Sequence, residues 1–387
     1  MHKYDVVIIG AGLGGLQCAR LLGEGGARVL LLDRKRSLSE SIHTTGIFVR
    51  RTLEDFDLPE DCLGPPVRRV VLYSPGRRAL PLESPFDEFR VGRMGELYQR
   101  FLDQCLEAGV EWLPMTRYVG CEAEGDSSSI IHLETGGLTR SVEARFLVGA
   151  DGAQSRVGRD LALDTNREWI VGVEDLFHDA PVEGPPSFHC FLDPELSPGY
   201  IAWVVQDGTE THVGVGGYAS HFNPVEALEK FHLSLKGTIN LRGARRTERR
   251  GGRIPVGGVL RRIANGRGLL TGDAAGAVSP LTAGGLDPCM RLSSLASRVI
   301  LKFLSTADVR ELEPYSGSAF RSRFISRLWM RRAISGLRQP VLLEGACALL
   351  RLPLLKSLAW NVFFGRGSFP DVEVNEPVSL APGKALT

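Results

Sequence analysis

The 387-residue chain reads as an α/β protein, α+β overall, and three stretches predict that class. The first runs from Tyr4 to Asp33: an apolar run Val6-Val7-Ile8-Ile9, then Gly10-Ala11-Gly12-Leu13-Gly14-Gly15, a helical segment, and Val29-Leu30-Leu31-Leu32 ending on Asp33. The second is Phe146-Leu147-Val148-Gly149-Ala150-Asp151-Gly152, and the third is Leu269-Leu270-Thr271-Gly272-Asp273-Ala274-Ala275-Gly276. In the second and third, a buried strand delivers an acid into a glycine-rich break that exposes backbone.

The first stretch has the strand, turn, helix, strand order of a Rossmann-type dinucleotide unit. Gly10 allows the tight turn, Gly12 leaves room for a pyrophosphate, and Gly15 lets the helix pack closely on the strand. The helix start, at Leu13 and Gly14, presents free N–H groups to phosphate. Asp33, about 20 residues beyond the turn, suits the two hydroxyls of an adenosine ribose. Alone, this stretch allows NAD, NADP or FAD, or a Rossmann unit that has lost its ligand.

Arg34 to Ile47 lacks clear periodicity and reads as a loop returning towards the ligand, with Arg34, His43, Thr45 and Gly46 as candidate site residues. Residues 67–91 alternate in short runs broken by Ser74-Pro75-Gly76, Pro81 and Pro85, as in exposed antiparallel strands. From Arg93 the period becomes helical: Leu97, Phe101, Leu102, Cys105, Leu106 and Ala108 recur up to a stop at Gly109. Val110 to Leu113 would be the next parallel strand. Tyr118 to Val148 reads as a β-meander with breaks at Gly125-Asp126 and Gly136-Gly137, feeding the second stretch and a helix near Gln154.

Strand-like runs fill 166–217, including Tyr200-Ile201-Ala202-Trp203-Val204-Val205 and His212-Val213-Gly214-Val215-Gly216. Their alternation turns one sheet face to a cavity. Asn223 to Leu235 is a short amphipathic helix with Pro224 at its start. After the third stretch, Pro280 to Gly285 leads into a long helix through Leu304. Its N-terminus suits a negative charge; the plainer alternative is a helix cap with a glycine-rich loop.

The 46 basic and 45 acidic side chains nearly cancel, which argues against nucleic acid as a partner. Seven scattered cysteines without Cys-x-x-Cys spacing suit a reducing cytoplasm and free thiols, and no metal-ligating pattern is read. Met1 to Asp5 enters the first strand without a signal-peptide pattern, and no run reaches the roughly 18 apolar residues of a spanning helix. A cytoplasmic protein is expected, free or peripheral to the inner face of the membrane. Residues 320–366 set Arg321, Arg323, Arg327, Arg331, Arg332, Arg338, Arg351, Lys356 and Arg366 against the single acid Glu344, interleaved with Leu, Phe and Trp. Such a segment either lies on anionic lipid and feeds an apolar substrate inwards, or packs over the catalytic part with solvated arginines. Pro370 to Thr387 reads as an extended or mobile tail.

With the three stretches in this order, residues 4 to about 305 resemble the FAD-dependent oxidoreductases built on the para-hydroxybenzoate hydroxylase plan. The resemblance implies that Gly10, Gly12, Gly15 and Asp33 hold the ADP half of FAD. It places Asp151-Gly152 near the pyrophosphate, and Gly272 and Asp273 at the ribityl and flavin. Arg93 matches the family's flavin- or phosphate-contacting arginine, and Val119, Pro280, Gly284 and Gly285 join the implied contacts. Ala274-Ala275-Gly276 through Ser279-Pro280-Leu281-Thr282-Ala283-Gly284-Gly285 looks most like the geranylgeranyl reductase branch. Two departures stand out: Tyr200-x-x-Trp203 followed by Val204-Val205-Gln206 replaces a Tyr-x-Trp-x-Phe-Pro element, and His43-Thr44-Thr45 stands where several prenyl reductases carry cysteine. No Trp-x-Trp of the halogenases is present.

The resemblance implies an FAD enzyme that passes hydride to a carbon–carbon double bond of a small apolar substrate, prenyl-like or polyketide-like. No second dinucleotide fingerprint appears, so NAD(P)H or another donor would act transiently. His43 and Tyr200 are candidate proton donors, with Trp203 beside them. A flavin monooxygenase or halogenase-like tailoring enzyme is the alternative, and a carrier resembling Rab GDP-dissociation inhibitors is a non-enzymatic third. The expected organisation is a discontinuous FAD-binding domain (1–65, 92–165, 250–305), a substrate sheet (66–91, 166–249), a helical segment (306–369) and a tail (370–387). The oligomeric state is left open.

Overall fold

A computed structural model describes residues 1–125, 128–220, 222–235 and 243–365. The glycine-turn unit forms β1 (Lys3–Ile9), α1 (Leu13–Glu24) and β2 (Val29–Leu32). The returning loop ends in β3 (Ile47–Val49) and the short α2 (Arg50–Asp55). Next come β4 (Arg69–Tyr73), β5 (Ala79–Glu83), β6 (Phe89–Val91), α3 (Met94–Glu107), β7 (Glu111–Leu113) and the meander β8 (Thr116–Glu124), β9 (Ser128–Thr135), β10 (Leu138–Gly149). The five-residue α4 (Arg156–Asp160) precedes β11 (Trp169–His178), β12 (Ser187–Phe191), β13 (Ala202–Gln206), β14 (Thr211–Gly217), α5 (Pro224–Ser234) and β15 (Arg245–Pro255). The chain then forms β16 (Ala264–Asn265), β17 (Gly268–Leu270), the 21-residue α6 (Leu286–Thr306) and four further helices: α7 (Gly317–Arg321), α8 (Ile325–Gly336), α9 (Pro340–Leu349) and α10 (Pro353–Phe364).

Two sheets divide these strands. An eight-stranded sheet runs β16-β17-β10-β1-β2-β7, with β8 and β9 continuing antiparallel from β10. Its centre is parallel and apolar on both faces, which is why β1 and β2 read as unbroken apolar runs. α1, α3 and α6 pack together beside it. Gly15 explains how closely: a Cβ there would stand 1.9 Å from the Gly10 carbonyl oxygen. The second sheet has seven strands in the order β15-β11-β14-β13-β12-β4-β5, parallel only between β12 and β4. On one face, Leu228 and Phe231 of α5 bury against Phe191, Val204, Val213 and Val215. The opposite face, at Trp203 and Val205, turns to a cavity. The small β3–β6 pair lies between the sheets in sequence and joins residues 47–49 to 89–91.

Several expectations shift in detail. Leu106, assigned to the apolar face of α3, is exposed, because a stripe through Leu97, Phe101, Leu102 and Cys105 already meets the core. Tyr200 precedes its strand rather than opening it. β15 crosses residue 250 and lies wholly in the seven-stranded sheet, paired with β11 along its length. The C-terminal helices pack over the protein: Ala359 and Phe364 join Val67, Leu82 and Phe89, and Trp360 Nε1 donates to the Glu83 carbonyl at 2.9 Å. Asp126 and the expected tail Pro370–Thr387 fall outside the described residues.

Candidate functional site

A cavity of about 890 Å³ runs between the two sheets. Gly12, Leu13, Gly14 and Lys35 line its first part; Gly272, Asp273, Gly284 and Gly285 the middle; His43, Thr45, Gly46, Glu174, Tyr200 and Trp203 the wall opposite. Phe188, Leu350, Leu358, Val362 and Phe363 make its apolar end.

The first part is built by the helix start of α1. A Cβ added at Gly12 would have no atom within 4 Å, so the cavity lies open above the turn. The first-turn amides of α1 lack intrahelical partners and concentrate positive potential there. Asp33 bridges the turn and the next loop: its Oδ2 accepts from the Ala11 N–H at 2.8 Å and its Oδ1 from the Lys35 N–H at 2.9 Å. Asp151 ties the second glycine break to α4, accepting from the amides of Arg156 (2.7 Å) and Val157 (3.2 Å). Its Oδ1 is buried without a partner, and burial raises its pKa; Gly152 beside it reaches the cavity.

In the middle part, α6 begins at Leu286 without a side-chain cap, leaving its N-terminus to the cavity. Burial pushes Asp273 up to about 6, and among the described residues its carboxylate has no hydrogen-bond partner. A ligand hydroxyl or amide is the chemistry that would satisfy it. Three side chains of the cavity lining brace the loop 279–285: Arg331 Nη1 donates to the Pro280 carbonyl (2.8 Å), Arg327 Nη1 to Ser279 Oγ (2.9 Å) and Tyr200 Oη to the Thr282 carbonyl (2.7 Å). Pro280 thus faces the bracing helix α8. The open glycine turn and the unpartnered Asp273 carboxylate fit a bound dinucleotide.

On the far wall, the glycines of β14 make a socket. A Cβ at Gly214 would stand 2.2 Å from the Trp203 ring, and one at Gly216 2.7 Å from the Tyr200 ring. Burial raises the Tyr200 hydroxyl well above its ordinary range. His43 Nδ1 contacts the Gly251 carbonyl at 2.9 Å, and partial burial followed by the Lys35 charge lowers its pKa.

Other expected residues stand back from the cavity. Arg34 is exposed; Arg93 turns to the Asp61 carbonyl and pairs with Glu96 at 3.0 Å; Val119 sits in β8. Gly10 and Gly15 shape the turn from behind. Sequence reasoning passed over Lys35, Glu174 and Arg250, all of which line the cavity, as does Arg327 of the basic C-terminal segment. The available signal was a pair of acids, Glu174-Asp175, inside an apolar strand.

Comparison with known proteins agrees with this architecture. The FAD binding domain family matches residues 3–58 and 95–330, so the fold and its glycine-lined cavity define an FAD-dependent oxidoreductase. A digeranylgeranylglycerophospholipid reductase of Methanopyrus kandleri is 30% identical, over 79% of this chain and 82% of that protein. The corresponding protein of Methanocella arvoryzae is 27% identical over 79% and 80%. A crystal structure of a geranylgeranyl bacteriochlorophyll reductase-like protein from Thermoplasma acidophilum superposes with a TM-score of 0.80, covering 89% of this chain and 90% of that one at 19% identity. The chain belongs to the geranylgeranyl reductase family of FAD-dependent oxidoreductases.

Proposed function

We propose that this protein reduces carbon–carbon double bonds in an apolar, prenyl-like substrate. The observation that carries the reading is the continuity of the cavity, from the glycine turn past Gly284-Gly285 to Phe188, Leu350, Leu358, Val362 and Phe363. Its apolar end reaches the surface, since Ile334 and Leu358 line the cavity and are also exposed.

In this reading Gly12, Leu13 and Gly14 hold the pyrophosphate, Asp33 the adenosine ribose, and Asp273 a ribityl hydroxyl. Bound FAD supplies hydride-transfer chemistry, recharged by NAD(P)H or another donor. The α6 N-terminus, at Gly284 and Gly285, favours negative charge beside it by on the order of 1 kcal/mol. His43, Tyr200 and Trp203 form the wall against which the double bond is presented. The residue ranges 1–65, 92–165 and 250–305 would act as the cofactor-holding part, and 66–91 with 166–249 as the substrate part. α8 to α10 would meet anionic lipid, from which an apolar substrate enters.

The test is anaerobic. Flavin-loaded protein reduced with dithionite and mixed with a digeranylgeranylglycerophospholipid should reoxidise, the lipid gaining one H₂ per double bond by mass. An unreduced lipid there, with a parallel incubation under labelled O₂ giving a product that carries the label, would refute the reductase reading in favour of a monooxygenase.

A further inference from the structure

β11 carries two adjacent acids through the interior of its sheet, and they face opposite ways. Asp175 faces α5, with both oxygens held by Arg249 at 2.8 and 2.9 Å and His232 at 3.7 Å. Glu174 faces the cavity. Its Oε2 accepts from the Thr45 hydroxyl at 2.7 Å and Trp203 Nε1 at 3.4 Å, while Oε1 is buried without a partner.

Behind Glu174 lies His212 of β14, 1% exposed. Its Nδ1 is 3.6 Å from Glu174 Oε2, an ion-pair separation, and its Nε2 is 3.3 Å from Asp207 Oδ2. Asp207 is itself fixed, its Oδ1 accepting from the Thr209 and Glu210 amides (2.8 and 2.6 Å) and the Thr209 hydroxyl (2.9 Å). Against the effect of burial, the two carboxylates raise His212 to about 9, so it carries a proton at neutral pH. Arg250, opposite Glu174 on β15, is the further charge bearing on that carboxylate. Burying three charged groups is costly against apolar side chains of similar volume. A tie between strands alone has no need of an unpartnered oxygen at a cavity wall.

We propose that Asp207, His212 and Glu174 form a proton-delivery line ending at the substrate. His212 stores the proton, and Glu174 relays it, resting as a carboxylate because, against the effect of burial, His212, Thr45 and Arg250 hold it below its ordinary range. Asp207 positions His212, and Thr45 and Trp203 aim the Glu174 carboxylate. The proposal rests on the alkene-reductase reading. In that reaction the π bond breaks and two C–H bonds form, one carbon receiving the flavin-supplied hydride and its neighbour a proton. His212 Nδ1, which makes no hydrogen bond at rest, closes from 3.6 Å on Glu174 Oε2 to pass that proton, and Glu174 gives it to carbon. Glu174 ends as carboxylate and His212 neutral, to be reprotonated from water before the next turnover.

The experiment follows anaerobic reoxidation of dithionite-reduced enzyme by a digeranylgeranylglycerophospholipid across neutral and alkaline pH, in H₂O and D₂O. E174Q preserves shape and should react about 100-fold more slowly or worse, the usual minimum for a lost general acid. It should also lose the wild-type alkaline limb, while dithionite still reduces its flavin normally; E174D should recover part of the rate. H212Q should show the same loss. A second readout needs no flavin: in the flavin-free wild type, the His212 imidazole resonances should stay protonated through neutral pH and titrate lower in D207N. His212 found neutral at pH 7 overturns the store. A reactive wild type with E174Q equally fast and unchanged in pH profile overturns the delivery line alone. A wild type that leaves the alkene untouched overturns the reductase reading, and the line with it.

Discussion

His212 makes folding stability depend on pH in a direction that can be stated in advance. Its folded-state pKa, about 9, lies above the ordinary 6.5, so the folded protein binds that proton more tightly than the unfolded chain. The stabilisation is therefore fully present below about pH 6.5 and is lost as pH rises through about 9. By linkage the loss is on the order of 3 kcal/mol. Asp207 works in the opposite sense: hydrogen bonds and the His212 charge hold it well below the usual carboxylate range, overriding burial. Its contribution is present above about pH 4 and lost as pH falls below that. Urea unfolding of wild type and H212Q at several pH values checks the alkaline limb. The wild type should lose stability between pH 6.5 and 9, and the variant should lack that slope. At neutral pH the variant should also be less stable, by roughly 3–5 kcal/mol, because two buried carboxylates lose their counter-charge.

Among the elements, the C-terminal helices depend on a small latch. Glu344 of α9 accepts from Ser74 Oγ at 3.0 Å and from the Gly76 N–H at 2.8 Å, at the turn joining β4 and β5. These bonds and the Trp360 contact hold α9 and α10 over the apolar end of the cavity. In E344A, amide exchange should quicken in α9 and α10 while β1, β10 and α6 keep their protection; unchanged exchange in α9 would show that apolar packing alone holds the cover. The β1–α1–β2 unit was legible in the sequence because its period and turn chemistry are local. The meander and α6 were legible for the same reason. That the C-terminal helices pack over the rest was one of two readings the sequence allowed, but which faces of α9 and α10 dock was not legible, since both are apolar around much of their circumference and no stripe selects the buried face. Glu174 escaped notice because alternation in a strand does not say which face meets a cavity. Its partners Thr45, Trp203 and His212 come from three distant segments, as Asp55 does for the buried Arg291.

Across the whole molecule, formal charge is only +1, so any attraction to anionic lipid would arise from where the charges sit. Several arginines of the C-terminal segment are spent inwards: Arg321 on the Gly257 and Val259 carbonyls, Arg327 on Ser279, Arg331 on Pro280 and Tyr218. Arg332, Arg338, Arg351 and Lys356 remain exposed, and Glu344 is engaged in the latch. Large apolar side chains share this segment's surface, with Trp329 65%, Val341 81% and Leu354 87% exposed. Among the described residues no helix is long and apolar enough to cross a membrane, so contact would be with the lipid surface. Each basic group near such a surface contributes about 1 kcal/mol at low salt, and salt screens that term within a Debye length of about 10 Å at 0.1 M. The protein should therefore float with vesicles containing phosphatidylserine at low ionic strength, and with neutral vesicles far less. Raising salt should release most of it, leaving a fraction held by apolar insertion. The double variant W329S/L354S should remove that residual fraction while retaining the salt-sensitive part. Absence of flotation with anionic vesicles at low salt would mean that these helices act only as a cover, and that the substrate reaches the cavity from solution.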